Sequence, residues 1–164
     1  MKVLLIALNA HYMHTSLALR QLSLCVPKSD DIGLSTMERH INLPFRRVLQ
    51  DIAQTNADAF GFSCYIWNID YVLKLCRALK KARPGCVIFL GGPEAACHAE
   101  GLLNGEAAVD YVLSGEGETV LPAFLKALRE NRARFSPGVW SLTDEGVSYV
   151  PAPEPLPPEC WPDV

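Results

Sequence analysis

Three short glycine-containing segments are the parts of this sequence best suited to hold a ligand. They are Gly61–Asn68 (GFSCYIWN), Gly91–Glu94 (GGPE) and Gly115–Glu118 (GEGE), and each follows an apolar run and precedes a helical pattern. Glycines at such turns let the backbone approach a bound molecule closely, because they carry no side chain. In a parallel α/β sheet these turns open at the carboxyl edge, where such folds bind ligands. The spacing therefore predicts a cofactor-binding layer.

The sequence lacks the residue groupings that are typical of a catalytic centre. We find no nucleophile with a base and no paired acid and base, so we predict no catalytic residue. The six cysteines show no CxxC or CxxxCxxC spacing, which argues against an iron–sulfur or zinc site within these 164 residues. We therefore expect any reaction to belong to another domain.

Composition indicates one globular domain. The chain has 164 residues, 49% of them hydrophobic, and a formal net charge of −3, without the basic excess of a nucleic-acid-binding surface. No apolar stretch approaches the roughly 18 residues of a membrane-spanning helix, and the apolar run Val3–Leu8 is too short for a signal peptide. We expect a cytoplasmic protein that binds neither nucleic acid nor a membrane.

Apolar strand patterns alternate with helical patterns along most of the chain. The predicted strands are Val3–Leu8, Ile32–Met37, Ala57–Ser63, Val87–Leu90 and Val109–Leu113. Helical patterns follow each of them, including a weaker one over Glu94–Leu103. Such alternation requires a parallel sheet with right-handed crossovers. We predict a flavodoxin-like (Rossmann-like) α/β fold with a five-stranded parallel sheet in the order 2-1-3-4-5.

The C-terminal part departs from this alternation. Two alternating segments flank Asp144-Glu145-Gly146, which predicts a β-hairpin over residues 138–150, either against a sheet edge or standing apart. Residues 1–150 would then form the domain. Residues 151–164 are rich in proline, which favours a semi-rigid spacer. We expect a second domain beyond that spacer, with a natural Pro-rich tail as the alternative.

These motifs together resemble a known family. Lys2–Arg20 (KVLLIALNAHYMHTSLALR) and the three glycine segments are similar to the N-terminal cobalamin-binding domain of B12-dependent radical S-adenosylmethionine (SAM) proteins. Anaerobic magnesium-protoporphyrin monomethyl ester cyclases and several methyltransferases are similar in this region. In that family, a Pro-rich connector leads to a barrel that carries CxxxCxxC. The resemblance therefore implies a radical SAM domain in the same polypeptide, with a [4Fe-4S] cluster and SAM.

The resemblance also implies how cobalamin would lie on this chain. The corrin would cover the carboxyl edge, and the nucleotide tail would enter a slot beside the strands, where the glycines leave room. Tyr65 and Trp67 would wall the corrin slot, or else pack on the neighbouring helix. The residues expected to contact cobalamin are Asn9, Ala10, His11, His14, Thr15, Ser63, Cys64, Tyr65, Trp67, Gly91, Gly92, Pro93, Glu94, Gly115, Glu116 and Gly117.

The loop after the first strand bears on the lower ligand of cobalt. In relatives that bind cobalt through histidine, this loop carries Asp-x-His-x-x-Gly, and here Asn9, His11 and His14 occupy those three positions. His11 is thus a candidate ligand to cobalt, although a carboxylate would orient the imidazole better than Asn9 does. The alternative is a surface histidine in the first turn, with cobalt left to water.

Two other functions fit the same fold. A flavodoxin-like domain would bind FMN through a hydroxyl-rich phosphate loop, of which His14-Thr15-Ser16 retains only a trace. A ligand-free interaction module would instead dock a protein partner through Tyr65 and Trp67. The colour of the reconstituted protein separates these functions, since flavin is yellow and cobalamin is orange to red.

Overall fold

One mixed sheet of seven strands organises the protein. The structure, a computed structural model, describes residues 1–11, 15–27, 31–155 and 157. The strand order is β2-β1-β3-β4-β5-β6-β7. The strands are β1 (Lys2–Asn9), β2 (Gly33–His40), β3 (Ala59–Ser63), β4 (Val87–Gly91), β5 (Tyr111–Leu113), β6 (Val139–Thr143) and β7 (Gly146–Tyr149). The first five strands run parallel, which confirms the predicted α/β class and the order 2-1-3-4-5.

The C-terminal hairpin enlarges the predicted five-stranded sheet to seven strands. β6 pairs antiparallel with β5, with Leu113 opposite Val139, and β7 pairs with β6. The five parallel strands are as predicted, and the hairpin takes the first of its two predicted positions, against a sheet edge, so that the whole sheet has seven strands. The physical reason is that β5 alone would present an unpaired edge, whereas the hairpin satisfies its backbone hydrogen bonds.

The helices lie in the crossovers and on both faces of the sheet. They are α1 (Leu17–Cys25), α2 (Phe45–Ala53), α3 (Ile69–Ala82), α4 (Pro93–Cys97), α5 (Ala99–Gly105) and α6 (Gly117–Arg129), followed by a short 3₁₀ turn at Ala133–Phe135. The single helix predicted over Glu94–Leu103 is in fact two helices, because the chain leaves helical geometry at His98 (φ −116°, ψ 18°). None of the helices among these described residues is long and apolar enough to cross a membrane.

Alternate residues of the strands feed two separate cores. On one face, Leu4, Ile6 and Leu8 of β1 pack in a cluster with α2, α3, α4 and α5. On the other face, Val3, Leu5 and Ala7 pack in a second cluster with α1 and α6. Burial of β1 on both faces explains its continuous apolar sequence.

The carboxyl ends of the parallel strands meet at one edge, as the sequence predicted. Asn9, Ser63 and Gly91 end β1, β3 and β4, and Ser114 directly follows β5. Ser63 is paired with both Ala7 and Gly91 in the register of the sheet. The strand-end motifs are therefore neighbours in space.

Candidate ligand-binding site

A cavity of about 190 Å³ opens at this carboxyl edge, on the face of the sheet that α1 and α6 cover. Six of the predicted contact residues line it: Ser63, Tyr65, Gly91, Gly92, Gly115 and Gly117. The other lining residues are mostly apolar and come from β1, β3, β4, β5, α1 and α6. The structure thus brings all three glycine segments to one concave site.

The floor of the cavity depends on a glycine inside β3. Gly61 is paired with Leu5 on one side and with Phe89 on the other. A Cβ at residue 61 would overlap the Phe89 ring and would lie 2.9 Å from Leu5 Cδ2. The absence of a side chain therefore lets the Phe89 ring lie over the strand, with its centroid 5.0 Å from that of Phe124. The floor is therefore an apolar surface.

The two glycines after β4 have different roles. A Cβ at Gly91 would meet no atom within 4 Å, so this glycine leaves open space at the cavity. A Cβ at Gly92 would lie 2.6 Å from the Cys64 carbonyl oxygen, and Gly92 adopts φ 99°, ψ 168°. That conformation is almost exclusive to glycine. Gly91 fits the expected role of making room for a ligand, whereas Gly92 makes room for protein backbone.

The glycines after β5 also approach protein atoms. Gly115 has φ 104°, and a Cβ there would lie 2.6 Å from the Cβ of Ala152. A Cβ at Gly117 would lie 2.7 Å from Leu22 Cδ2, at the contact between α1 and α6. Both residues line the cavity, but their missing side chains face the Pro-rich segment and α1. Close packing is therefore a sufficient reason for glycine at these two positions.

Tyr65 and Trp67 form a stacked pair at the rim of the cavity. Their ring centroids lie 4.5 Å apart with an interplanar angle of 6°. Trp67 is 51% exposed and Ile66 between them is 77% exposed, while Tyr65 lines the cavity. Trp67 therefore packs on Tyr65 and leaves an apolar surface facing outward.

Cys64 lies on the other side of the sheet from the cavity. It is fully buried with the α2–α3 core, and its thiol is 3.8 Å from the Phe62 carbonyl oxygen. Burial, with a smaller contribution from the negative charge of Glu94, raises the pKa of this thiol to about 12. Its main chain holds the turn instead, since Cys64 N donates to Gly91 O at 2.7 Å and Glu94 N donates to Cys64 O at 3.3 Å.

The loop after β1 lies at the same edge but outside the cavity lining. Asn9 Nδ2 donates to Glu38 Oε2 at 2.8 Å, and the same oxygen accepts from Ser16 N at 2.8 Å. Glu38 of β2 therefore fixes the start of α1, where Ser16 Oγ also accepts from Leu19 N. His11 and Thr15 are exposed. His14, the remaining predicted contact in this loop, lies outside the described residues.

The other predicted contacts surround the turns without lining the cavity. Ala10 is half-buried, and its carbonyl accepts from Asn42 Nδ2 at 3.4 Å. Pro93 and Glu94 form the first turn of α4, and Glu94 Oε1 lies 3.4 Å from His98 Nε2. Glu116 precedes α6, and its carbonyl accepts from Val120 N at 3.0 Å. These residues support the carboxyl edge.

Sequence reasoning missed several residues of the site. Gly61 and Phe89 precede Ser63 and Gly91 by two positions, so the two-residue period of a strand would have found them. Glu118 lines the cavity from α6 and is the last residue of the predicted Gly115–Glu118 segment, whereas only helix packing brings Leu22 of α1 there. Asn68, which is 1% exposed, also escaped notice as a site residue, because asparagine before a helix is ordinarily read as a cap.

Comparison with known families decides what kind of domain this is. The model of the family described as the B12-binding domain matches residues 3–125. The chain belongs to this B12-binding family. The match spans β1 through most of α6 and thus every strand end that contributes to the cavity. The predicted resemblance to cobalamin-binding domains is confirmed.

Curated relatives of this B12-binding domain are methyltransferases. Hopanoid C-3 methylase from Methylococcus capsulatus is 36% identical over 118 residues, which are 71% of this chain and 22% of that protein. The cobalamin-dependent radical SAM methyltransferase TokK from Streptomyces tokunonensis is 26% identical over 84 residues, 50% of this chain and 12% of that protein. The domain therefore spans about a fifth or less of the relatives it matches.

Solved structures share the fold. The cobalamin-dependent SAM radical enzyme OxsB, with aqua-cobalamin and SAM bound, superposes with a TM-score of 0.79 at 14% identity, over 93% of this chain and 22% of that one. TsrM from Kitasatospora setae, with cobalamin and a [4Fe-4S] cluster bound, superposes with a TM-score of 0.70 at 19% identity, over 92% of this chain and 29% of that one. At these identities the likeness establishes the α/β architecture.

Proposed function

We propose that this domain presents cobalamin at the carboxyl edge of its sheet to a radical SAM domain of the same polypeptide. The observation that carries the proposal is the apolar cavity, which the three glycine segments reach together at the edge of a B12-binding fold. Cobalamin bound here would supply a cobalt centre able to carry a methyl group or an electron. The chain's own residues would bind and orient it.

The lining of the cavity is better suited to the nucleotide tail of cobalamin than to the terminal phosphate of FMN. Its floor is apolar, and Gly91 leaves open space where any side chain would intrude. The Ser63 hydroxyl supplies a hydrogen-bonding group at the end of β3. Tyr65 and Trp67, stacked at the rim, would then lie beside the corrin as a wall. Burial of this apolar area, rather than a single metal bond, would provide most of the affinity.

Charge in the cavity argues against FMN as the ligand. Of the cavity-lining residues in the described part of the chain, Tyr65 and Glu118 alone have ionisable side chains, and neither is a cation. The dianionic terminal phosphate of FMN would meet the Glu118 carboxylate without a compensating positive charge. The flavodoxin-like alternative is therefore disfavoured, and it remains an outcome of the binding test below.

The C-terminal segment supports the proposed position of the second domain. After β7, Val150 O accepts from Gly138 N at 2.8 Å, and Ala152 N donates to the Tyr149 hydroxyl at 3.2 Å. Ala152 then packs against Gly115 at the carboxyl edge. Ala152, just beyond residues 1–150, thus lies at the same edge of the sheet as the cavity. A Pro-rich connector over 151–164 would direct the next domain towards the corrin.

The activity of the full-length protein is a further part of this proposal, and it is based on the matched relatives. The matched relatives are methyltransferases several times longer than this chain, so we propose a radical SAM methyltransferase or a cyclase-like enzyme. Its second domain would bind a [4Fe-4S] cluster through CxxxCxxC, together with SAM. Free, buried Cys64, Cys76 and Cys86 support a cytoplasmic location, because thiols stay reduced there. Sequencing the reading frame beyond Val164 for CxxxCxxC tests the two-domain proposal.

Binding of cobalamin to the 164-residue chain is tested directly. Titration with hydroxocobalamin, followed by desalting and visible absorbance, should yield an orange to red protein. The EPR spectrum of the cob(II)alamin complex should show release of the dimethylbenzimidazole base, because insertion of the tail removes that base from cobalt. A colourless protein would favour the interaction module, and a yellow protein after parallel incubation with FMN would favour the flavodoxin-like function.

A further inference from the structure

Asn68 joins three parts of the carboxyl edge through one buried side chain. Its Nδ2 donates to Leu8 O at 3.1 Å and to Ser63 O at 3.1 Å, and its Oδ1 accepts from Tyr65 N at 2.8 Å. Both amide protons and one oxygen lone pair are therefore used, at a residue that is 1% exposed. The bonds link the ends of the neighbouring strands β1 and β3 to the loop between β3 and α3 (residues 64–68).

This side chain serves the loop rather than the helix that it precedes. Asparagine at the start of a helix ordinarily accepts from an amide of the first turn. Here Oδ1 turns back to Tyr65, three residues earlier, while the main-chain oxygen of Asn68 accepts from Val72 N at 2.9 Å. The main chain closes the same turn, because Tyr65 O accepts from the amides of Asn68 and Ile69 at 3.0 and 3.1 Å.

Apolar burial holds this loop only at its first residue, Cys64. Ile66 and Trp67 are 77% and 51% exposed, although both are large apolar side chains. A loop with such residues would ordinarily gain stability by folding them inward. The buried amide of Asn68 opposes that collapse, since collapse would leave its polar atoms and two strand-end carbonyls unpaired in the interior. Ile66 and Trp67 therefore stay exposed next to Tyr65, which lines the cavity.

We propose that Asn68 is a positioning residue for cobalamin: it pre-organises Ser63, Tyr65 and the Tyr65–Trp67 stack so that the cavity and its rim exist before the ligand arrives. Asn68 would act through the loop, without touching the cofactor. The proposal rests on the proposed cobalamin site and adds the residue that sets its shape. Pre-organisation raises affinity because binding then incurs no entropy cost for ordering the loop.

The test compares Asn68→Ala and Asn68→Asp with Leu79→Ala in the 164-residue chain. Leu79 is fully buried near the end of α3, outside the cavity lining, so its truncation lowers stability while leaving the loop bonds intact. Asn68→Asp keeps the acceptor for Tyr65 but turns an oxygen towards two carbonyls. We expect hydroxocobalamin affinity to fall about tenfold or more in both Asn68 variants. In Leu79→Ala, the folded fraction should bind like the original chain.

Two readouts without cofactor examine the loop itself. NMR hydrogen exchange should show a protected Tyr65 amide in the original chain, exposed in Asn68→Ala but still protected in Asn68→Asp. The near-ultraviolet circular dichroism of the Tyr65–Trp67 stack should weaken in Asn68→Ala. If Asn68→Ala does not fold, Asn68→Asp and Tyr65 exchange in the original chain carry the test. Equal affinity in all variants, or an unprotected Tyr65 amide, would overturn the proposal.

The same experiment separates this proposal from the function on which it rests. If the original chain binds no cobalamin, the proposed function is wrong, and Asn68 cannot be a positioning residue for that cofactor. If the original chain binds and the Asn68 variants bind equally well, the cobalamin site stands and the positioning role is wrong. Reduced affinity that tracks loss of the Tyr65–Trp67 signal supports both.

Discussion

The place that a Gly92 side chain would occupy is already filled by the main chain of Cys64. A Cβ at residue 92 would lie 2.6 Å from the Cys64 carbonyl oxygen and 3.0 Å from its nitrogen. The turns after β3 and β4 therefore pack closely and are hydrogen-bonded at this point, because Cys64 N also donates to Gly91 O. The adjacent Gly91 differs, since a Cβ there would meet no atom within 4 Å.

The two neighbouring glycines should consequently separate folding from binding. We expect Gly92→Ala to lower the free energy of unfolding by roughly 1–3 kcal/mol through backbone strain alone. Gly91→Ala, the matched control, should change it by less than about 0.5 kcal/mol. Urea unfolding followed by circular dichroism measures both values. Equal losses in the two variants would contradict the assignment of Gly92 to the close packing of the two turns.

Cobalamin binding, unlike stability, should be more sensitive to a substitution at Gly91 than to one at Gly92. Gly91→Val adds a side chain at the open space of the cavity, so we expect the Kd for hydroxocobalamin to rise about tenfold, as overpacking by roughly 1.4 kcal/mol implies. Its urea midpoint should stay near that of the original chain. An unchanged Kd in Gly91→Val would place the nucleotide tail elsewhere on the domain.

His11 should prove dispensable for cobalamin binding. It is exposed, and the nearby Glu38 carboxylate of β2 already accepts from Asn9 Nδ2 and Ser16 N, which fixes the start of α1. We expect His11→Ala to raise Kd by less than about threefold, or roughly 0.7 kcal/mol. EPR of cob(II)alamin is the decisive measurement. Nitrogen superhyperfine splitting that is present in the original chain and absent from His11→Ala would identify His11 as the lower ligand.

Glu38 should matter for stability although it lies on the edge strand β2. One carboxylate oxygen accepts from both Asn9 Nδ2 and Ser16 N, and hydrogen bonds to a charged group are the stronger kind. We expect Glu38→Gln to cost roughly 1–3 kcal/mol in thermal or urea unfolding. Glu145→Gln in the exposed β6–β7 turn is the matched control. A loss no larger than that of the control would show that this oxygen contributes little.

Cys64 should make the stability of the domain depend on alkaline pH. Burial raises the pKa of its thiol to about 12 from the usual 9.0, so the folded state keeps the proton after the unfolded state has released it. The resulting stability is complete below pH 9.0 and is lost as the pH rises towards 12. Cys64 alone should contribute about 1.4 kcal/mol per pH unit to the slope. Urea unfolding between these pH values should show a shallower slope for Cys64→Ala, and equal slopes would refute the burial effect.

Sequence alone determined the architecture and the edge that carries the site. Alternating apolar strands and amphipathic helices such as α2 and α3 dictate a parallel α/β sheet, because each pattern has one efficient way to bury its apolar residues. The positions of Ser63 and Gly91 at strand ends then placed them side by side. The family resemblance, confirmed by the B12-binding match to residues 3–125, indicated that the cofactor is cobalamin.

Tertiary structure decided which side chains and backbones meet. Whether a glycine leaves room for a ligand or for protein depends on atoms distant in sequence: Cys64 for Gly92, Ala152 for Gly115 and Leu22 for Gly117. The hydrogen bonds of Asn68 depend on tertiary structure in the same way, since its amide reaches Leu8, sixty positions earlier. Sequence patterns record the local period of a strand or helix, whereas these contacts are fixed only when the strands pair and the helices pack on them.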